Sequence, residues 1–217
     1  MSSAPQVRRI DKLMTEERAR ETLAGGFCGR LATVGPDGWP YVVPLLYVWA
    51  DEAVYVHNTH APGHLRRNVD HDPRVCFEVD EAGDVFAYGR FECDTSIAYR
   101  SVIVFGTIRI VDAEEDKARV FAELMRKYAD VSWERPPGFF PRLDEVTVYA
   151  IAVERLTGKE TPLPGVSDRW PARDNTKSPR AVAPPTDGRA RPTAGSPNPV
   201  RGYRSSTRPR APECRPG

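Results

Sequence analysis

The chain has 217 residues, of which 40% are hydrophobic and 28% are charged, and its net charge is +1. These values are ordinary for a globular protein and exclude a collagen-like or a disulfide-rich chain. No apolar segment is long enough to span a membrane, and the first residues, MSSAPQVRRIDKLM, lack the apolar core of a signal peptide. We therefore expect a cytoplasmic protein without a membrane partner.

The charge is distributed unevenly along the chain. Residues 165–217 contain eleven Lys and Arg against four Asp and Glu, about +7, so residues 1–164 carry about −6. The same segment holds ten of the 21 prolines and no Leu, Ile, Phe or Met. It cannot bury enough apolar surface to offset the entropy of ordering. We predict a folded domain at 1–164 and a disordered basic tail at 165–217, and we expect a solvated extension more than a nucleic-acid-binding arm.

The first half of the predicted domain reads as one helix followed by a meander of strands. Thr15 before two glutamates is typical of a helix start, and Gly25-Gly26 of its end. The turn Pro36-Asp37-Gly38 separates two apolar runs, because proline presets one dihedral and glycine accepts a positive one. Pro44 cannot donate a ladder hydrogen bond and therefore indicates a sheet edge or a bulge. Strands are predicted at 27–34, 41–49 and 53–57.

The second half continues the same pattern. A fourth strand is predicted at 74–80, a loop at 81–90, a long strand at 98–111 and a last strand at 147–154. Gly106 indicates a bulge or a close approach within the long strand. Asp112 is predicted to cap a helix with an apolar stripe at helical spacing. The pattern predicts a mainly β (α+β) fold: a six-stranded antiparallel barrel with flanking helices.

The candidate site lies between residues 55 and 79. This segment contains all four histidines and two adjacent arginines on an apolar strand, a Pro-Gly loop and a basic helical turn: His57, His60, His64, His71, Arg66 and Arg67. Backbone N–H groups at a helix start, together with nearby cations, bind phosphate groups. His57 is equally consistent with a structural role, and His60 and His71 are expected to be solvated. The segment therefore predicts a site for a phosphorylated cofactor.

A metal site is the competing interpretation of the histidines. The spacing His57-x₂-His60-x₃-His64 suits zinc ligands, but Pro62 and Gly63 interrupt the helical geometry that a zinc-protease motif requires. We therefore predict no dedicated metal site. The four cysteines are scattered without a CxxC pair, which is typical of free thiols.

Three blocks carry a resemblance to a known family: GRLATVGPDGWPYVVPLLYVW, VYVHNTHAPGHLRRNVDHDPRVCFEV and YRSVIVFGTIRIV. Their order and spacing resemble the pyridoxamine 5'-phosphate oxidase-like FMN-binding split-barrel superfamily, and within it the nitroimidazole-resistance (Nim)-like branch, over residues 8–160. The resemblance implies a homodimer of six-stranded split barrels with FMN in two symmetric clefts at the interface.

The resemblance also implies a set of cofactor-binding residues. The flavin ring would lie along Pro44, Leu45, Leu46 and Tyr47, and the ribityl chain along His57, Asn58 and Thr59. The phosphate would lie at Gly63, His64, Leu65, Arg66 and Arg67. Tyr99, Arg100 and Ser101 would approach from the long strand, across the dimer interface. Leu65 stands where related sequences often have Lys, so Arg66 or Arg67 must supply the charge.

The function implied is that of an FMN-dependent oxidoreductase. NAD(P)H would be the reductant and a small electron-poor molecule, such as a nitro compound, the acceptor. His64 is the candidate catalytic proton donor, with His57 as the second choice. The arginine and histidine that bind substrate in true pyridoxamine phosphate oxidases have no match in the last strand, so that activity is not expected. Open alternatives are a haem-binding barrel, a deazaflavin-binding barrel and a flavin-binding module without turnover.

Overall fold

The computed structural model describes residues 7–89, 91, 93–130, 136 and 138–169. Apart from residues 165–169, the predicted basic tail therefore lies outside the described residues. Seven strands occur in the described part of the chain: β1 Gly29–Val34, β2 Pro40–Leu45, β3 Tyr47–Ala50, β4 Ala53–Thr59, β5 Arg74–Ala87, β6 Thr95–Val111 and β7 Val146–Thr161. The α-helices described are α1 Glu16–Gly25, α2 His64–His71 and α3 Glu114–Tyr128.

The strands form one antiparallel sheet in the order β2-β1-β5-β6-β7-β4-β3. Strands β2 and β3 are neighbours in the chain but stand at opposite ends of this order. The segment from Pro40 to Ala50 therefore connects the two edges and closes the sheet into a split barrel. The predicted fold class is confirmed, but the strand count was wrong. The predicted strand at 41–49 is two strands that meet at Leu46.

Three predicted boundaries also need correction. The predicted loop at 81–90 is wrong, because β5 continues to Ala87 and pairs with β6 along that length. Residues 81–85 are exposed and so lack the apolar alternation that would reveal a strand. Asp112 is not the cap of α3, whose N-cap is Ala113. The last strand extends well beyond Glu154, to Thr161.

The core lies in two layers separated by the sheet. Along β4, Val54 and Val56 face the barrel interior, whereas Tyr55 faces α3. The interior cluster also includes residues from α1 and from five further strands, among them Leu23, Leu31, Tyr47, Phe77, Val102 and Tyr149. The outer cluster joins Val120 and Leu124 of α3 to β3, β4 and β7. Burial of these apolar faces fixes α3 against the outside of the barrel.

Three local predictions are confirmed. The Thr15 side chain caps α1 by accepting a hydrogen bond from the N–H of Arg18 at 3.3 Å. Pro44 lies in β2, a terminal strand of the sheet order. The pairing of β6 with β7 shifts register at Gly106, where a Cβ would lie 2.0 Å from the carbonyl oxygen of Ala152. Only glycine permits so close an approach of the two strands.

Candidate functional site

The N-terminus of α2 is open. Gly63 is the N-cap and contributes no side-chain hydrogen bond, and the first turn contains no acidic residue. The first N–H groups of a helix have no partner within the helix and carry a partial positive charge. In α2 these N–H groups lie in the turn that begins with His64 and also contains Arg66 and Arg67. The predicted anion-binding turn is therefore at a true helix start.

A pocket of about 440 Å³ lies between this helix start and the β1–β2 turn. The imidazole of His64 stacks on the ring of Tyr41, with ring centres 5.4 Å apart and planes inclined by 21°. Arg67 lines the same pocket, as does Trp39, whose side chain is 74% exposed. The pocket thus combines a cation, a histidine and two aromatic rings with one carboxylate, that of Asp37, which accepts a hydrogen bond from the Trp39 N–H at 3.1 Å.

The two arginines of α2 differ in their partners. The guanidinium of Arg66 forms an ion pair with Asp70, one helical turn later, at 2.9 Å. For Arg67, none of the ion pairs in the described part of the chain supplies a carboxylate partner. Arg67 is therefore the residue whose charge is available to an anion in the pocket.

Buried residues of α2 hold the turn in place. Leu65 is 5% exposed and packs in the barrel core. Although it belongs to the predicted cofactor-binding residues, its side chain therefore serves packing. The buried amide of Asn68 donates a hydrogen bond to the hydroxyl of Thr33 in β1 at 2.9 Å. The N–H of His60 donates to the carbonyl of Glu145 at 2.9 Å and anchors the loop before the helix. The loop and first turn of α2 are thus fixed from both sides.

The predicted cofactor-binding residues at the end of β4 lie on both faces of the sheet. His57 turns away from the barrel interior and meets the ring of Phe121 edge to face at 5.0 Å. By strand alternation, Asn58 shares the inner face with Val56, and Thr59 is exposed at the strand end. Within the described part of the chain, His57 Nδ1 and Asn58 Oδ1 are both buried without a hydrogen-bond partner. Burial lowers the pKa of His57 below its usual value, so the imidazole is neutral at pH 7.

The predicted ring-binding segment is only partly accessible. Pro44 and Leu46 are exposed, Leu45 is half-buried against the core, and the side chain of Tyr47 is fully buried. The Tyr47 hydroxyl donates to the carbonyl of Leu23, and the ammonium of Lys127 lies 3.8 Å from its ring centre. Burial raises the pKa of Tyr47 and lowers that of Lys127 to about 8.

The backbone of Tyr47 is also engaged. The Tyr128 hydroxyl accepts a hydrogen bond from the Tyr47 N–H at 3.3 Å and lies 2.8 Å from the Tyr47 carbonyl oxygen. Within the predicted segment, Pro44 and Leu46 are therefore the residues left to contact a ligand.

Tyr99, Arg100 and Ser101 lie far from the other predicted residues. They pair with residues 159–161 of β7, whereas His57 pairs with Val148 of the same strand. Eleven residue steps separate Val148 from Lys159, which corresponds to roughly 35 Å measured along the strand. Arg100 forms an ion pair with Glu81, and with Tyr99 it lines a separate pocket of about 280 Å³. One copy of the chain therefore does not bring the predicted set together.

Two groups of residues were missed by the sequence reasoning. Trp39 and Tyr41 line the pocket at α2, and their signal was present as two large aromatics beside the turn Pro36-Asp37-Gly38. Phe139 and Phe140 join His57 around a cavity of about 590 Å³ under α3. No local pattern indicates this cavity, because its walls come from segments about 80 residues apart.

Metal chemistry and thiol chemistry receive no support from the geometry. Among the described residues, no group of three His, Cys, Asp or Glu side chains is placed to hold a metal ion. Cys28, Cys76 and Cys93 are free thiols, as predicted, and Cys214 lies outside the described residues. Of the helices in the described ranges, none has the length and apolar character needed to cross a membrane.

Comparison with protein families identifies the fold family. The profile of the family described as pyridoxamine 5'-phosphate oxidase matches residues 15–160, about two thirds of the chain. The chain belongs to this family. The resemblance found in the sequence is thereby confirmed. A comparison with curated proteins gives no match.

Solved structures share the fold at low sequence identity. A proposed 5-nitroimidazole antibiotic resistance protein from Bacteroides thetaiotaomicron is 20% identical, with a TM-score of 0.57 over 68% of this chain and 85% of its own. A FAD- and haem-binding protein from Mycobacterium smegmatis is 21% identical, with a TM-score of 0.58 over 72% and 78%. A flavocytochrome from Azotobacter vinelandii is 18% identical, with a TM-score of 0.65 over 89% and 92%. These likenesses establish a common architecture.

Proposed function

We propose that this protein is a flavin-dependent oxidoreductase that binds FMN and reduces a small electron-poor acceptor, with NAD(P)H as the reductant. The observation that carries the proposal is the uncapped N-terminus of α2, whose first residue, His64, lines a pocket together with Arg67. A phosphate group satisfies both the free N–H groups and the charge of Arg67. Two structural neighbours, the FAD- and haem-binding protein and the flavocytochrome, are named for ligands of the same flavin class.

The residues present fit a flavin phosphate. Gly63 leaves the helix start uncovered, since a Cβ built there has no atom within 4 Å. Arg67 neutralises charge, and His64 is held against Tyr41 at the mouth of the pocket. Pro44 and Leu46 offer an exposed apolar edge along which a flat ring can lie. When bound, the flavin supplies the hydride and electron chemistry that the side chains lack.

In the proposed reaction the protein positions the cofactor and donates one proton. His64 is exposed and lies on the cofactor pocket, so it can exchange protons with solvent and donate one to the reduced acceptor. His57 is less suited to this role, because burial keeps it neutral and it faces α3. We therefore retain His64 as the candidate catalytic acid.

The site we propose is completed by a second copy of the chain. Tyr99, Arg100 and Ser101 lie roughly 35 Å along β7 from the residues that pair with His57. The β5–β6 hairpin that carries them exposes Val85, Tyr88 and Ile97. Exposed apolar residues at the end of a long hairpin are typical of an arm that packs on a partner. A homodimer would bring these residues of one protomer to the pocket of the other.

The haem alternative is weaker on geometric grounds. Two structural neighbours are a haem-binding protein and a flavocytochrome, and paired histidines are common haem ligands. In this chain, however, the cavity lined by His57 and the pocket lined by His64 share no residue. The two histidines of one protomer therefore do not converge on a single iron position. A deazaflavin or a non-catalytic flavin site would use the same α2 pocket as FMN.

Absorption spectroscopy of the purified full-length protein tests the proposal. Titration with FMN is expected to give a saturable flavin spectrum that bleaches on addition of NADH or NADPH, with turnover on a nitroaromatic acceptor. Saturable binding without bleaching would reduce the protein to a flavin-binding module. A Soret band on titration with haemin, without any response to FMN, would reject the proposal.

A further inference from the structure

A second cavity, here called the α3 cavity, lies between α3, the end of β4 and residues 138–140. Its volume is about 590 Å³, within the range of roughly 300–1,000 Å³ that is usual for small-molecule sites. Its walls are predominantly apolar and include Phe121, Leu124, Met125, Phe139 and Phe140. None of its lining residues lines the pocket at α2.

One polar atom in the described part of this wall has an unsatisfied hydrogen-bonding capacity. Nδ1 of His57 is buried and has no hydrogen-bond partner, although a buried imidazole nitrogen normally has one. The ring of His57 is held in place by its edge-to-face contact with Phe121 at 5.0 Å. Because no group among the described residues partners Nδ1, a molecule in the α3 cavity can supply its hydrogen bond.

The charges around the α3 cavity favour an uncharged occupant. Arg126 is the cationic residue among its described lining residues, and Glu123 neutralises it through an ion pair on the same helix. Burial keeps His57 in its neutral form. Among the described lining residues, a charged ligand finds no free counter-ion to offset the loss of its hydration. An aromatic ligand, by contrast, can stack against the phenylalanine rings.

We propose that the α3 cavity binds a small uncharged aromatic molecule whose single hydroxyl or N–H group forms a hydrogen bond with Nδ1 of His57. This goes beyond the proposed flavin function, since the cavity is separate from the pocket at α2 and requires no flavin. It also assigns His57 to a ligand other than the ribityl chain.

Fluorescence titration of the full-length, flavin-free protein with 2-naphthol and with naphthalene tests the proposal. The two probes share the same rings and differ by one hydroxyl group. We expect 2-naphthol to bind with a Kd on the order of 0.1–1 mM. Naphthalene should bind about fivefold more weakly, which is the typical effect of one hydrogen bond. Failure of both probes to bind would overturn the proposal.

Matched variants locate the binding. His57→Phe should abolish the preference for the hydroxyl group, while His60→Phe, which changes an exposed histidine outside the cavity, should retain it. Phe139→Ala should weaken both probes severalfold, whereas Phe27→Ala should weaken neither. Both phenylalanines are exposed, at 64% and 74%, and only Phe139 lines the cavity. A hydroxyl preference that survives in His57→Phe would remove His57 from the site.

Addition of FMN separates this inference from the proposed function. If the sites are distinct, saturating FMN leaves the Kd of 2-naphthol unchanged within about twofold. Displacement of 2-naphthol by FMN would overturn the separate site and place the flavin at His57. Binding of 2-naphthol to a protein that does not bind FMN would support the α3 cavity and reject only the flavin proposal.

Discussion

The first turns of helices α2 and α3 carry side chains of opposite charge. The first turn of α3 contains Glu114, Glu115 and Asp116, which complement the positive end of the helix dipole. Helix α1 follows the same rule with Glu16 and Glu17. In α2 the corresponding turn has no acid, and its N-cap is a glycine. Stability alone would favour the acidic pattern in all three helices, so we propose that the exception is a helix start reserved for an external anion.

The largest effect is expected from removing the His64 and Arg67 side chains at α2. The double variant His64→Ala/Arg67→Ala should lose about a hundredfold in FMN affinity, because two charge-assisted contacts contribute about 3 kcal/mol together. Both side chains are exposed, so the melting temperature should change little. Isothermal titration with FMN measures the loss.

A matched control is available in the neighbouring arginine. Arg66 already pairs with Asp70, so Arg66→Ala should change FMN affinity by less than about threefold. If Arg66→Ala and Arg67→Ala are equally harmful, the distinction between the two arginines is wrong. If the double variant binds FMN normally, the phosphate lies elsewhere.

Making α2 resemble α3 should trade binding for stability. Gly63→Asp supplies the missing acidic cap, and the position has room for a side chain and an ordinary backbone conformation. We expect a gain of about 1 kcal/mol in the free energy of unfolding and at least a roughly tenfold loss of FMN affinity. Chemical denaturation and FMN titration of the same variant measure both effects.

The control for this change lies at α1. Thr15→Ala removes a cap that has no proposed ligand, so it should cost about 1 kcal/mol of stability and leave FMN binding intact. A Gly63→Asp variant that is more stable and still binds FMN tightly would refute the reserved helix start.

Much of this contrast could be predicted from the sequence because it is local. The cap at Thr15, the acidic starts of α1 and α3 and the basic start of α2 are all read within four residues of a helix end. The register shift at Gly106 was likewise predicted from one residue, because a glycine inside a long strand usually marks a bulge or a close backbone approach. The helix start at Gly63 belongs to this group, whereas its anion stays a prediction.

Features that depend on pairing between distant segments were not predictable in this way. The apolar run at 41–49 reads as one strand, because its apolar residues continue without a turn signal, yet Leu46 separates strands at opposite edges. The distance of Tyr99 from His57 appears only when both are referred to β7. The face occupied by His57 likewise depends on where α3 packs.

The pH dependence of stability tests the environment of His57 beneath α3. Burial under α3 lowers the pKa of His57 in the folded state below its usual value of 6.5. The unfolded chain therefore binds a proton at His57 more readily than the folded chain does. The stability that neutral His57 contributes is complete above pH 6.5, and it is lost as the pH falls through 6.5 toward the folded pKa. The limit for one proton is about 1.4 kcal/mol per pH unit.

Melting curves at about pH 7.5 and pH 5.5 measure this effect. The wild-type protein should lose more stability between the two values than His57→Phe does, and His60→Phe should behave like the wild type. Equal losses in the wild type and in His57→Phe would mean that His57 is not held neutral beneath α3, and its unpartnered Nδ1 would then lose its significance.

The smallest effect is expected from the basic tail, and its absence is informative. Residues 170–217 contain ten Lys and Arg against three Asp and Glu, so they are a rival source of positive charge for a phosphate. If the open start of α2 is sufficient, truncation after Arg169 changes neither the FMN affinity nor the melting temperature beyond experimental error. A clear loss of affinity at low salt that disappears at high salt would show that the tail supplies part of the charge.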